Sequence, residues 1–319
     1  RVLFRSEKIC FNAAFSVVWK DFKSLQYYSS PNQVIAKNNS SFCMYVGGQD
    51  RMAYRIAHGP ACCNGNMNRM IPLFCSRQWM KKGDNGIVAA MYAPSSFTTK
   101  LKGSKNEITI QEETNYPFEE TIRFRMKMKR STPFSFWLRI PQWCKGASIT
   151  VNGQAADIVC KAGTFVEVQR KFSDGDIIEL KLPMKAKSVS MPYDGVAFER
   201  GPLVFSLNVK AQEEITETRE LDGIKFQSRI LTPLSEWNYA PVDTENIEVV
   251  NSNDYSNIWN PETTPVRLKV KAVTVTNWQL YRDNFTPYMP SVIRKGEEKV
   301  IELVPVGTTV LRMTVFPDI

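Results

Sequence analysis

The residues best suited to do chemistry stand in one run, His58-Gly59-Pro60-Ala61-Cys62-Cys63-Asn64-Gly65-Asn66-Met67-Asn68-Arg69. The pattern predicts a helix from about Asn66 to Met80, capped by Asn64 or Asn66, with the two cysteines just before its start. Free N–H groups and the dipole at a helix N-terminus favour negative charge. A thiol placed there shifts toward thiolate, the form that attacks electrophiles and binds metals. The same pair also reads as two small buried apolar residues or as a strained vicinal disulfide, and the residues alone leave these readings open.

Other chemistries are pruned by counting. There is one histidine, His58, so a His-Glu-x-x-His protease, a three-histidine zinc site and a two-histidine iron site cannot be built from this chain. Neither a G-x-G-x-x-G run nor a G-x-x-x-x-G-K-S/T run occurs, which argues against Rossmann and P-loop enzymes. Seven cysteines at irregular spacing are no secreted disulfide framework, and an odd count leaves at least one thiol free. The pairs Glu112-Glu113, Glu119-Glu120 and Glu297-Glu298 read as surface charge rather than as an acid/base couple. Of the net charge of +9, residues 1–130 contribute 20 basic against 9 acidic side chains. The densest basic run, Arg123 to Arg130, alternates with Ile122, Phe124, Met126 and Met128. That is a strand with one wet face, and no nucleic-acid-binding motif accompanies it. No apolar stretch reaches the ~18–20 residues needed to span a bilayer.

The elements that must position the cysteines come in two kinds. Ser6 is placed to cap a helix in which Ile9, Cys10, Phe11, Ala13, Ala14, Phe15, Val17, Val18 and Trp19 are apolar nearly all round, as in a buried helix. The predicted second helix has Met67, Met70, Ile71, Phe74 and Cys75 on one side and Pro72 inside it, and it ends at Lys81-Lys82-Gly83. From Ile87 onward the period changes to two, with turns such as Asn152-Gly153 and Asp174-Gly175, which is antiparallel sandwich material. The chain opens on Arg1, and Val2 to Phe11 already reads like the middle of a fold. An upstream part is therefore expected.

The spacing Cys-Cys-x-x-Asn-x-x-Arg, met by Cys62, Cys63, Asn66 and Arg69, resembles the signature of glycoside hydrolase family 127, the β-L-arabinofuranosidases, and their relatives in gut bacteria. Glu7 to Ala13 and Tyr28-Ser29-Ser30-Pro31 look like upstream landmarks of that family, with Ser30 where the family has Asn. Leu138 to Cys144, Val151-Asn152-Gly153, Gly175-Asp176, Arg200-Gly201-Pro202-Leu203 and Leu303 to Thr309 resemble its sandwich landmarks in the right order. The resemblance implies a multidomain α and β protein: the tail of an (α/α)6 catalytic barrel over 1–84, then two antiparallel β-sandwich domains. The first sandwich would be 85–190 plus 300–319, and the second, 191–299, would be inserted in it. It also implies a retaining exo-hydrolase acting on an arabinose-containing plant oligosaccharide, for which the periplasm is the expected compartment ahead of the cytoplasm.

By the same resemblance Cys62 is the nucleophile and forms a thioglycosyl intermediate. Cys62 and Cys63 bind zinc, Tyr28 is an active-site tyrosine, and His58 either bonds substrate or packs its loop. The family's other zinc ligands come from a Glu-x-Cys motif and its acid/base from a glutamate further upstream, and this sequence has no Glu-x-Cys. Cys10 and Cys43 are poor substitutes, the one inside a buried helix and the other without a glutamate nearby. The chain alone is accordingly expected to be inactive, missing the N-terminal barrel half. The rival reading is a non-catalytic carbohydrate-binding or scaffold protein using Trp237, Tyr239, Tyr255, Trp259, Trp278 and Tyr281.

Overall fold

The computed structural model describes residues 2–38, 51–59, 61–280 and 286–319. They are mostly sheet and form two compact units, Arg1–Cys10 with Met70–Lys185 and Phe11–Arg69 with Ala186–Ile319. Among the described residues no helix is long and apolar enough to cross a membrane.

In the first unit the period-two sequence becomes two sheets. One runs in the order β1 (Trp79–Lys82), β2 (Gly86–Ala89), β6 (Thr132–Arg139), β9 (Phe165–Phe172). The other runs β3 (Ser95–Lys100), β4 (Glu107–Thr114), β5 (Thr121–Met128), β10 (Ile177–Lys181), β7 (Ser148–Val151), β8 (Gln154–Ala155). Their apolar faces meet: Phe124 of β5 lies edge-on to Phe136 of β6 at 5.1 Å, and Trp79 stacks on Phe97 at 5.2 Å. The outward face of β5 carries the basic run, with Arg123 paired to Glu179 at 2.8 Å and Arg125 to Glu113 at 3.3 Å. A wet sheet face accounts for those charges, as the alternation predicts. One pair departs from the antiparallel expectation. Strands β2 and β6 run parallel, which the crossover through β3, β4 and β5 permits.

In the second unit the main sheet runs β11 (Ala186–Met191), β12 (Gly195–Arg200), β13 (Leu203–Asn208), β19 (Lys295–Pro305), β18 (Val266–Val275), β16 (Tyr239–Pro241). Strand β17 (Glu248–Asn251) adds to β18, β20 (Arg312–Met313) to β13, and β21 (Phe316–Pro317) to β12. A hairpin, β14 (Ala211–Leu221) and β15 (Ile224–Pro233), stands as its own two-stranded sheet. Residues 300–319 therefore do not return to the sandwich of 85–190. Strand β19 pairs with β13 and β18 because Val304 and Leu303 face Ser206, Leu207 and Leu268 in register. Residues 186–191 also belong to this sheet rather than to the first sandwich.

The stretch 1–84 differs most from expectation. Its described residues hold less helix than a barrel tail implies: α1 (Val2–Ile9), a π-turn at Cys10–Ala14, α2 (Cys62–Ser76) and an irregular segment between them. Ser6 lies within α1 rather than capping it. The wide π-turn is where Asn12 leaves the helix line. Its Nδ2 donates to the Pro202 carbonyl at 2.9 Å and its Oδ1 accepts from Val204 N–H at 2.8 Å, so one amide grips the β12–β13 turn. Lys81 and Lys82 end no helix. Trp79, packed on Phe97 and Phe136, draws its segment into β1, and Gly83 turns the chain at φ 61°. The irregular segment is pinned to the second unit by the bridges Gln33–Arg312, Ala36–Leu231 and Tyr54–Arg229.

Candidate active site

Helix α2 begins at Cys62, so both cysteines lie in its first turn instead of before it. Asn64 is not the cap: its Nδ2 reaches back to the Ile56 carbonyl at 3.2 Å. Cys62, Asn66 and Arg69 fall at i, i+4 and i+7, one helix face, which is the physical content of the motif's spacing. All three are exposed, and no residue of α2 is buried. The two Sγ atoms are 4.0 Å apart, and the six described cysteines are free thiols. Cys43 lies outside the described residues.

The partner of Cys62 is Tyr27, whose hydroxyl stands 3.6 Å from Sγ. Tyr28, an active-site tyrosine by the resemblance, lies next to this pair and meets Tyr27 edge-on at 5.1 Å. Arg51 organises both rings. Its guanidinium lies 4.4 Å over Tyr27 and 5.8 Å from the Tyr28 centroid, and it donates to the Gly59 carbonyl at 3.0 Å. Its carbonyl accepts from the Tyr27 and Tyr28 N–H groups, each at 3.0 Å. The next residues are held from below by buried Arg312, which donates to the Ser30 carbonyl at 3.1 Å and to Ser29 Oγ. Asn32 completes the anchor with bonds to the backbone of Thr314 and Val315. Nothing in a single-sequence pattern marks Tyr27 above Tyr28. Only the fold of 25–28 against 51–55 selects it.

His58 is buried, and its Nε2 lies 2.8 Å from the Leu25 carbonyl. Burial lowers its pKa, favouring the neutral ring, and that contact is a loop-packing one. The two adjacent thiols are pushed in opposite directions. The Tyr27 hydroxyl donates to Cys62 and holds it below the usual thiol range, whereas burial and then the neighbouring Cys62 push Cys63 up. Tyr27 is raised in turn, because losing its proton would forfeit that bond. Two thiolates on one tetrahedral zinc with Zn–S of ~2.3 Å stand ~3.8 Å apart, close to the observed pair. The cysteines thus fit two corners of such a site. Among the described residues no group of three His, Cys, Asp or Glu could close one. Cys10, in the π-turn, is pushed up by burial and then by Glu7.

A second concentration of titratable groups lies within the first unit. Glu7, fully buried, accepts from Arg139 and from the Tyr116 hydroxyl at 2.9 Å. Glu112 is 3% exposed, accepts from Ser95 Oγ at 2.9 Å, and is pushed up to about 8 by burial. Glu112 was expected on the surface with Glu113. Alternation along β4 instead sends the two to opposite faces.

The aromatics of the rival reading are mostly packing. Trp259 stacks on Phe15 at 4.4 Å and fills the space above Gly307, Trp278 is buried against Trp237, and Tyr239 is buried. Tyr281 lies outside the described residues.

With this geometry in place, comparison with known proteins gives a family likeness for part of the chain. Residues 86–184 match the β-L-arabinofuranosidase GH127 middle domain. That stretch lies within Met70–Lys185, the longer segment of the first unit. A GH127 β-L-arabinofuranosidase from Geobacillus stearothermophilus T6 shares the fold at TM-score 0.70 and 21% identity, over 99% of this chain and 46% of that one. A solved glycoside hydrolase gives 0.72 and 22% over 99% and 48%, and a GH127 β-arabinofuranosidase gives 0.67 and 18% over 99% and 45%. The chain spans about half the length of the solved structures it matches. No curated protein matches it. The GH127 likeness first read from the cysteine motif is therefore carried also by the middle domain and by the fold.

Proposed function

We propose that this chain is part of a glycoside hydrolase of the β-L-arabinofuranosidase type, retaining, with Cys62 as its nucleophile and plant-derived glycans as its substrates. The observation that carries the reading is a pair of adjacent thiols in the first turn of a helix, the exposed one 3.6 Å from the Tyr27 hydroxyl. Cys62 Sγ would attack the anomeric carbon of a terminal β-L-arabinofuranose as the bond to the leaving oxygen breaks, giving a thioglycosyl intermediate that water then hydrolyses. Zinc held by Cys62 and Cys63 would keep both sulfurs deprotonated at neutral pH. Tyr27 orients the sulfur, and Arg51, stacked on Tyr27, fixes that hydroxyl's position. The remaining zinc ligands and the acid/base would come from outside the described residues. The bare face of α2 supports this, since it is the surface a helical barrel would cover.

Covalent labelling tests the assignment. An epoxide of β-L-arabinofuranose configuration should tag Cys62 in peptide mass spectra, with no tag after Cys62→Ser. Preferential tagging of Cys63 would overturn the nucleophile. The 319-residue chain alone is expected to leave an aryl β-L-arabinofuranoside intact, and turnover abolished by Cys62→Ala would show that it needs no further part.

A further inference from the structure

The hairpin of β11 and β12 turns through Tyr193 and Asp194, both in the left-handed region at φ 61° and 51°. Such a turn suits Asn-Gly or Asp-Gly, and this chain uses those pairs at Asn152-Gly153 and Asp222-Gly223. A tyrosine there is strained, and its ring recovers nothing by packing, since Tyr193 is 87% exposed. The turn is nonetheless held firmly. A Cβ on Gly195 would stand 2.7 Å from Val315, and Asp318 N–H donates to the Asp194 carbonyl at 2.9 Å. Beside it Tyr288 is 54% exposed, and its carbonyl accepts from the buried Trp278 indole at 2.6 Å. Tyr193, Asp194, Tyr288, Pro290 and Asp318 line a groove of about 510 Å³, all within the second unit.

We propose that this groove is an auxiliary carbohydrate-binding site, separate from the cysteines, that takes one or two sugar units of an oligosaccharide. The C–H face of a sugar ring matches an exposed tyrosine face on a firmly held backbone, and its hydroxyls match the carboxylates of Asp194 and Asp318 as donors to acceptors. Those carboxylates repel phosphate, which disfavours nucleic acid. The strain at Tyr193 then has a use: it holds an aromatic ring out in water at the groove's rim. The inference shares only its ligand class with the hydrolase reading.

Affinity electrophoresis and calorimetry of the 319-residue chain with arabinotetraose and xylotetraose provide the test. Tyr193→Asn removes the ring but suits the turn, so it should weaken binding about tenfold or more while leaving Tm unchanged or higher. Tyr288→Ala should weaken binding similarly, and Cys62→Ala should leave it unchanged. Binding untouched by Tyr193→Asn and Tyr288→Ala, binding lost with Cys62→Ala, or no binding of either oligosaccharide would each overturn the site. Because labelling of Cys62 needs neither tyrosine, failure of the groove and failure of the nucleophile assignment are read separately.

Discussion

The cluster around Glu7 and Arg139 and the cluster around Cys62 both gather titratable side chains, yet they are built in opposite ways. The first is sealed: Glu7 takes the Arg139 guanidinium and the Tyr116 hydroxyl, Tyr92 donates to the Arg139 carbonyl, and Glu112 is pushed up to about 8 by burial. The second is open, and its key group is shifted down by a hydrogen bond rather than up by desolvation. Large shifts in this molecule therefore mark where charge has been hidden to hold the sandwich together. A smaller downward shift on an exposed thiol marks where the proposed chemistry would be done.

The sharpest way to break that contrast is to cut the sealed cluster. Arg139→Ala leaves the Glu7 carboxylate buried without its cation and should cost about 3–5 kcal/mol in urea unfolding, whereas Arg51→Ala at the open site should cost far less. Next comes pH. The folded pKa of Glu112 lies above its unfolded value, so the stability from burying the neutral acid is full below pH ~4.5 and is lost as pH rises through about 8. Tm between pH 5 and 9 should fall by the equivalent of on the order of 3 kcal/mol, and Glu112→Gln should flatten that fall. A profile unchanged by Glu112→Gln would mean the carboxyl is not buried as described. The smallest effect belongs to the open site. Tyr27→Phe removes the donor, raises the Cys62 pKa, and should slow its alkylation by iodoacetamide in metal-free buffer near pH 7.5 about threefold, with Tm unchanged. Tyr28→Phe should leave that rate alone. Equal slowing by both would mean that the Tyr27 hydroxyl is not what lowers the Cys62 thiol.

Much of the first unit was legible because period-two patterning writes both faces of a strand into adjacent residues. Phe124 and Arg123 announce inside and outside without reference to anything distant. Trp79 to Lys82 shows the converse. Its cations and glycine imitate a helix end, and only packing of Trp79 on Phe97 and Phe136 makes it a strand. The sheet that residues 300–319 join is not legible in the sequence, because alternation shows that a strand exists and not which strand it pairs with.

At the site, the sequence by itself determined that two thiols lie next to a helix start, since capping and helical periodicity are local; only the structure moved them into the first turn, where Cys62, Asn66 and Arg69 share a face. The sequence could not choose Tyr27 over Tyr28, bury Glu112, or leave Tyr193 standing in water. Those outcomes depend on contacts between residues far apart in the chain, as where the Arg51 and Leu25 segments meet, where β4 closes on β3, and where β21 pins the β11–β12 turn. Tertiary structure decided them because a side chain's partner, burial and pKa are set by whichever distant segment folds against it.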